Sequence, residues 1–388
     1  MNSIQATNIV KRHGYRMGFD VVRITSAEPF LQAKKNALNR LDSGLMNGLS
    51  WYDKARVIRG SHPSKILKEA KSIISVAMSY KSEDSDNQNS SSSMHGKVAR
   101  YSWGRDYHRV IEKRLKQFIS GLSSELGSEI NSKIYVDTGP MQDRAVAQRA
   151  GTGWYGKNTN IITLTHGSWV FLGQVITDLI LQPDEPLKKN CGTCNLCIDK
   201  CPTGAIVAPY ILDNTKCISY LTIELRESIP REMRSQIGDW VFGCDICQEV
   251  CPPNIKSLST NEPAFLPGKH GYKTLDLIPL LSLTDEEFRD KFQGTPIMRT
   301  KRRGLIRNIC VALGNIGDPD AIPSLSLVMK NPDSMIVEHA AWALGRIGGD
   351  IARQALCAAL IGEDRKTVIS EIEMAIELID ESADHIKL

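Results

Sequence analysis

The chain has 388 residues, 41% hydrophobic and 24% charged, with a formal net charge of +4. Such values describe a globular protein of about two or three domains and exclude a disordered, collagenous or bilayer-spanning chain. The mild positive charge permits a nucleic-acid partner without demanding one. Met1 opens a polar stretch with no apolar signal core and no twin-arginine pair, so a cytoplasmic protein with no membrane association is expected.

Ile4 to Met17 carries apolar residues at helical spacing and stops at Gly18. Val21 to Ile24 is a β-branched run, Phe30 to Leu41 is helical again, and Lys71 to Met78 reads as a buried strand. Strands separated by helices predict a layered α/β or α+β domain. Lys81 to Gly96 is polar and Ser-rich, the pattern of a solvated surface loop.

Aromatic and basic residues interleave from Arg100 to His108, ahead of a long helix reaching about Leu126. They are either half-buried rings at a helix entry or contacts to a large planar or anionic ligand. Ile134 to Val136 is a strand, Asp137-Thr138-Gly139-Pro140 a turn, Met141 to Ala150 a helix, and Asn160 to Thr163 begins a further strand. In a layered α/β domain a carboxylate at a strand's C-terminal tip is placed to handle a ligand. An Asx turn or helix cap by Asp137 is the plainer alternative. Gly151-Thr152-Gly153-Trp154-Tyr155-Gly156 matches G-x-G-x-x-G, but a helix precedes it and a strand follows. The dinucleotide fingerprint needs the reverse order, so these glycines cap and turn the chain. Ser168 to Leu181 is another apolar strand candidate, followed by a linker from Pro183 to Pro186.

Eight of the ten cysteines lie between Cys191 and Cys251. Cys191, Cys194, Cys197 and Cys201-Pro202 follow the Cys-x2-Cys-x2-Cys-x3-Cys-Pro spacing of bacterial two-cluster ferredoxins, in which the fourth cysteine serves the neighbouring cluster. On that logic Cys191, Cys194, Cys197 and Cys251 hold one [4Fe–4S] cluster, and Cys201, Cys217, Cys244 and Cys247 hold the other. Structural zinc has no use for this run, and nothing suggests the export that disulfides would require.

A proline- and glycine-marked link then leads to a repeating C-terminal part. Ala312-Leu313-Gly314-Asn315-Ile316-Gly317 returns as Ala343-Leu344-Gly345-Arg346-Ile347-Gly348, with a degenerate copy from Ala375 to Ile379. Helix pairs repeating in this way predict a HEAT-like α-solenoid, a macromolecule-binding module. Just before it, Arg299, Lys301, Arg302, Arg303 and Arg307 form either a solvated helix end or a phosphate-backbone patch. Cys310 and Cys357 occupy apolar helix positions and read as core.

Taken together, these residues resemble the epoxyqueuosine reductases, over nearly the whole chain. The resemblance rests on Tyr135 to Pro140, Asp143 to Ala147 with Arg149-Ala150-Gly151, Gly156-Lys157-Asn158, Cys217 to Thr222, Gly243-Cys244-Asp245, the cysteine block and the HEAT-like tail. It implies an α+β multidomain protein: an N-terminal α/β cobalamin-binding domain over 1–182, a ferredoxin-like domain over 183–262 and a helical repeat domain over 263–388. It further implies base-off cobalamin beside the cluster of Cys201, Cys217, Cys244 and Cys247. The substrate would be a tRNA anticodon stem-loop whose epoxyqueuosine is reduced to queuosine. Asp137 would be the general acid, with a partly desolvated carboxyl of raised pKa, and Tyr101, Tyr107 and His108 further donors. Arg59, Ala99, Asp137, Arg144, Lys157, Asn158, Ile161, Leu172, Ser219, Cys244 and Asp245 would line the cofactor. Thr222, Arg226, Arg299, Lys301, Arg302, Arg303 and Arg307 would face tRNA. The enzyme would be a monomer fed by an external low-potential donor such as flavodoxin or ferredoxin. A reductive dehalogenase and a non-catalytic electron-transfer ferredoxin with a protein-binding solenoid are the alternatives; the first usually carries an export signal, and the second leaves the Asp137 region unexplained.

Overall fold

A computed structural model describes residues 2–83, 94–267 and 272–386. In chain order its first strands are β1 (Val21–Ser26), β2 (Ser72–Ser79), β3 (His95–Val98), β4 (Ser132–Tyr135), β5 (Trp154–Tyr155), β6 (Ile161–Ile162) and β7 (Val170–Thr177). The first helices are α1 (Ser3–Arg16), α2 (Leu31–Asp42), α3 (Lys54–Gly60), α4 (Tyr107–Leu126) and α5 (Asp143–Arg149). Contacts group the chain into two compact units, one holding residues 1–83, 104–215 and 245–266, the other residues 84–103, 216–244 and 267–388. The stretch 183–262 contributes to both.

The first unit is built on a four-stranded sheet in the order β1-β2-β7-β4. Every pairing in it is antiparallel. This corrects the α/β expectation: the layer is α+β, and the rule that ligands gather at the C-terminal tips of parallel strands does not apply. Every residue of β2 is buried, because helices cover both of its faces. On one face α4 presents Ile111, Leu115, Phe118 and Leu122 at helical spacing. Gly173 admits them closely, since a Cβ there would sit 3.2 Å from Ile111 and Leu115. On the other face Ile73 and Ile176 meet Val146 of α5 with Phe30, Leu67 and Met141. Alternation along a strand sends Gly173 and Gln174 to opposite layers.

In the second unit β3 lies between strands Trp240–Phe242 (parallel) and Thr274–Asp276 (antiparallel). The expected loop from Lys81 to Gly96 therefore ends earlier than its composition suggests, at His95. At its start, within the first unit, Lys81 Nζ donates to the carbonyls of Asn254 at 3.3 Å and Ser257 at 2.7 Å. Residues 84–93 lie outside the described residues.

The repeat motif forms helices Lys301–Ile316, Ser334–Ile347 and Lys366–Ile386, with Ile322–Val328 and Gly349–Leu360 between them. Its glycine has a packing reason. A Cβ on Gly314 would stand 2.9 Å from Ala343 Cα, and one on Gly345 would stand 2.8 Å from Ala375 Cα. Each repeat's Gly thus receives the Ala of the next, bringing the helix backbones together. Among the described residues no helix is long and apolar enough to cross a membrane. Gly345→Ala should destabilise the protein by about 1–3 kcal/mol through overpacking, read as a lower urea midpoint. An unchanged midpoint would show that these helices can part at no cost.

Candidate active site

The chain leaves β4 at Tyr135 and enters a turn that holds Asp137 at φ +57°. A non-glycine residue in the left-handed region needs surroundings that over-determine it, and such residues cluster at functional sites. Here the surroundings are α3 and the residues on either side of it. Arg56 donates to the carbonyls of Thr138 (3.2 Å) and Gly139, and its guanidinium also lies 4.9 Å from the Trp51 ring centroid. Gln142 Nε2 bonds Ser61 Oγ at 2.6 Å. Gly60 lies so close beneath the loop that a Cβ would fall 1.7 Å from Pro140 O.

Three groups at the start of α4 converge on Asp137. Tyr107 Oη donates to Asp137 Oδ2 at 2.9 Å. His108 Nε2 lies 3.4 Å from the same oxygen, an ionic contact more than a well-formed hydrogen bond. His108 Nδ1 meets Asp106 Oδ1 at 2.7 Å, and Asp106 also caps the helix through His108 N–H. Tyr107 is fixed by stacking, 4.2 Å and 4° from Phe171 on one side and 4.0 Å from His108 on the other. Burial pulls the His108 pKa down, but its bonds and charges with Asp106 and Asp137 outweigh that and push it up to about 9. At neutral pH the proton therefore sits on the imidazole.

The Asp137 side chain is half-exposed, at 54%. Asp143, at the N-terminus of α5, carries a raised pKa. Burial, reinforced by the Asp137 charge, pushes it up to about 7, against the opposing pull of Arg144 and a 2.7 Å bond from Gln174 Nε2. Arg144, an exposed residue, donates to Thr159 O at 2.8 Å, and Thr159 too has a positive φ. Burial raises the Tyr155 pKa, but the guanidiniums of Arg144 and Arg40 outweigh it and leave the phenol more acidic than usual. Asp143 appeared in the sequence only inside a motif. Neither its environment nor the reach of Arg56 to the Asp137 loop leaves a local signal, because both depend on partners far along the chain.

In the same unit, Cys251 is pushed up to about 12 by burial and by neighbouring Cys191, Cys197 and Cys194. Cys197 is raised in the same way, first by burial and then by Cys191. Cys191, Cys194, Cys197 and Cys251 therefore lie near enough for charge on one to be felt by another. Among the described residues no group of three His, Cys, Asp or Glu is arranged to hold a single metal ion. Four cysteine thiols with this spacing are the donor set that a [4Fe–4S] cluster takes. The cysteine corner is tied to the sheet by Asn254, whose Nδ2 donates to Ser168 Oγ and Gln248 O and whose Oδ1 accepts from Ser168 N–H at 2.6 Å. Of the other cysteines, Cys201 and Cys247 belong to the first unit and Cys217 and Cys244 to the second.

Lys157 and Asn158 are buried and bonded to the cysteine block, through Asn195 Oδ1 at 2.9 Å and Cys247 O at 3.1 Å. Asp245 and Ile161 are buried, Leu172 and Ser219 are half-buried, and Arg59 is exposed. Ala99 has no exposed surface, which corrects its assignment as a cofactor contact. Thr222 and Arg307 are likewise 0% exposed, which corrects both as tRNA contacts. Arg307 donates inward to the carbonyls of Leu221, Leu225 and Glu227, and Thr222 Oγ1 donates to Ile218 O. An arginine inside a helix packs its charge against carbonyls when these would otherwise be orphaned. Arg299 and Arg303 are paired with Glu224 and Asp333, and Arg302 donates to Leu283 O. Arg226 and Lys301 are exposed.

Comparison with known proteins places this geometry. The family model for epoxyqueuosine reductase QueG matches residues 61–138, that for a 4Fe-4S double cluster binding domain residues 190–254, and that for HEAT repeats residues 297–377. The epoxyqueuosine reductase of Bacillus anthracis is 38% identical over 368 residues, 94% of each chain. That of Bacillus subtilis is 35% identical over 384 residues, 98% of each. A crystal structure of epoxyqueuosine reductase with an epoxyqueuosine-modified tRNA-Tyr stem loop superposes with a TM-score of 0.91 at 35% identity, over 98% of this chain and 100% of that one. With this identity sustained along nearly its full length, the chain belongs to the epoxyqueuosine reductase family.

Proposed function

We propose that this oxidoreductase reduces the epoxide of epoxyqueuosine in a tRNA anticodon loop to the alkene of queuosine, the last step of queuosine formation. The observation that carries the reading is the Asp137 loop: a carboxylate in a strained turn, backed by two proton-bearing side chains. The net change consumes two electrons and two protons and releases water. Cobalamin, when bound, supplies low-potential two-electron chemistry that no side chain can. Both signs of charge among Asp137, Asp143, Arg144 and the Lys157–Asn158 turn suit its amide-bearing rim, and the resemblance adds Arg59, Ile161, Leu172, Ser219, Cys244 and Asp245. Cys191, Cys194, Cys197 and Cys251 would hold one [4Fe–4S] cluster and Cys201, Cys217, Cys244 and Cys247 the other, and these would supply single-electron transfer from an external donor such as flavodoxin or ferredoxin.

The chain's own work is positioning and proton delivery. Asp137 relays to the departing oxygen a proton taken from the imidazolium of His108, 3.4 Å from its Oδ2, solvent supplies the second proton of the released water, and Tyr107 orients the carboxyl through Oδ2. Exposed Lys301, with Arg226, Arg299, Arg302 and Arg303 where their acidic and carbonyl partners release them, takes the stem's phosphates. Extrusion of the modified base would bring it to the Asp137 loop.

Asp137→Ala should keep normal iron–sulfur spectra while turnover on epoxyqueuosine-bearing tRNA falls by about 10²–10⁴-fold, measured by mass spectrometry of the nucleoside. Turnover at the wild-type rate would remove Asp137 from the mechanism. Because the folded pKa of His108 lies above its ordinary 6.5, its charged form stabilises the fold fully below that value and the contribution disappears as pH rises through about 9. Urea midpoints measured across that window should fall for the wild type and lose this step in His108→Asn. For Arg226→Glu combined with Lys301→Glu we expect weaker tRNA binding and a salt slope shallower by about one per lost phosphate contact. The same slope as wild type would disqualify this surface.

A further inference from the structure

Gly153-Trp154-Tyr155-Gly156 turns the chain and also carries a buried donor without an acceptor among the described residues. Trp154 is 9% exposed, and among the described residues its Nε1 has no hydrogen-bond partner. Native proteins rarely leave a buried N–H unmatched, so an orphan marks a group that completes the site. The ring's surroundings say which group. Trp154 and Ile162 form one apolar cluster with Cys251, and Cys191 and Leu187 pack against it.

The hairpin holds the indole firmly. Trp154 pairs with Ile162 across β5 and β6. Gly153 allows the strands to close, since a Cβ there would meet Ile162 O at 2.5 Å. Gly156 does the same beside Asn158 Oδ1 at 2.7 Å, and Asn158 in turn bonds Cys247 O at 3.1 Å. The indole is therefore clamped between the sheet-side hairpin and the cysteine loops. Within that apolar cluster the groups able to accept are the sulfurs of Cys251 and Cys191.

We infer that the Trp154 indole N–H donates a hydrogen bond to a sulfur of the cluster held by Cys191, Cys194, Cys197 and Cys251 and thereby raises that cluster's reduction potential. This rests on the ligand assignment proposed above. Reduction adds one electron and no proton, so negative charge accumulates on the sulfurs. A donor aimed at them stabilises the reduced state more than the oxidised one. Ile162 and Leu187 beside the ring are apolar, and apolar neighbours disfavour the added charge. Trp154 would keep this cluster reducible by an external donor despite those neighbours.

The test uses the full-length chain, anaerobically reconstituted with iron and sulfide. Trp154→Phe and a 3-benzothienylalanine at position 154, which keeps the indole's shape without its N–H, are compared with wild type by redox titration followed by electron paramagnetic resonance. The expected result is unchanged iron and sulfide content, a lower midpoint potential for one cluster in both proteins and no shift in the other. Independently, reduced wild type labelled with ¹⁵N-tryptophan should show a ¹⁵N and exchangeable-proton coupling to that cluster, which also decides the case if a substitution prevents loading. Unshifted potentials in a loaded variant, or no such coupling in wild type, would overturn the inference. Wild type that binds no cluster at all would instead overturn the ligand assignment beneath it.

Discussion

The site depends on the way β7 presents alternate side chains to two layers. On the α4 side Phe171 lies flat under Tyr107, which reaches Asp137. On the α5 side Gln174 holds Asp143. The strand's pairing with β4 sets Tyr135 opposite Gln174 and so delivers the chain to the Asp137 turn. A slip of one residue would exchange the faces, sending Phe171 toward α5 and Gln174 toward α4, and would take both supports from the site. Full burial of β2 alongside makes such a slip costly, because its apolar residues would all have to change layers.

Electrostatics then divides the labour among three carboxylates. Asp106 and Asp137 flank a histidine that keeps its proton at neutral pH, while Asp143, more enclosed and repelled by Asp137, titrates near 7. Environment, more than residue type, assigns the roles, as is usual where groups with separated pKa values share a site. The loop bearing Asp137 is held by hydrogen bonds from Arg56 and by the absence of a side chain at Gly60, so its strained conformation depends on α3.

The cysteine corner shows the same reliance on distant parts. Four thiols gathered in a poorly solvated place repel one another once ionised, which iron relieves. What keeps them gathered is neutral: Asn254 bridging to Ser168, and Asn158 capping the carbonyl of Cys247. The solenoid uses a third device, the small glycine of each repeat seated against the alanine of the next.

The sequence by itself determined whatever is encoded at short range or by spacing. The cysteine run announced clusters, the Ala-Leu-Gly repeat announced stacked helices, and Asp137 stood out in its turn. The helix-then-strand order around Gly151 to Gly156 was enough to reject a dinucleotide site. Strand direction was not legible, since parallel and antiparallel strands share one apolar signature, and the sheet proved antiparallel. Nor was burial of single polar residues: Arg307 and Thr222 look like surface cation and hydroxyl in the sequence, yet both are wholly enclosed. Tertiary structure decided these points because a side chain's solvation and charge partners come from residues tens to more than a hundred positions away. His108 meets Asp137, Asp143 meets Gln174 and Trp154 meets Cys251 only once the chain has folded.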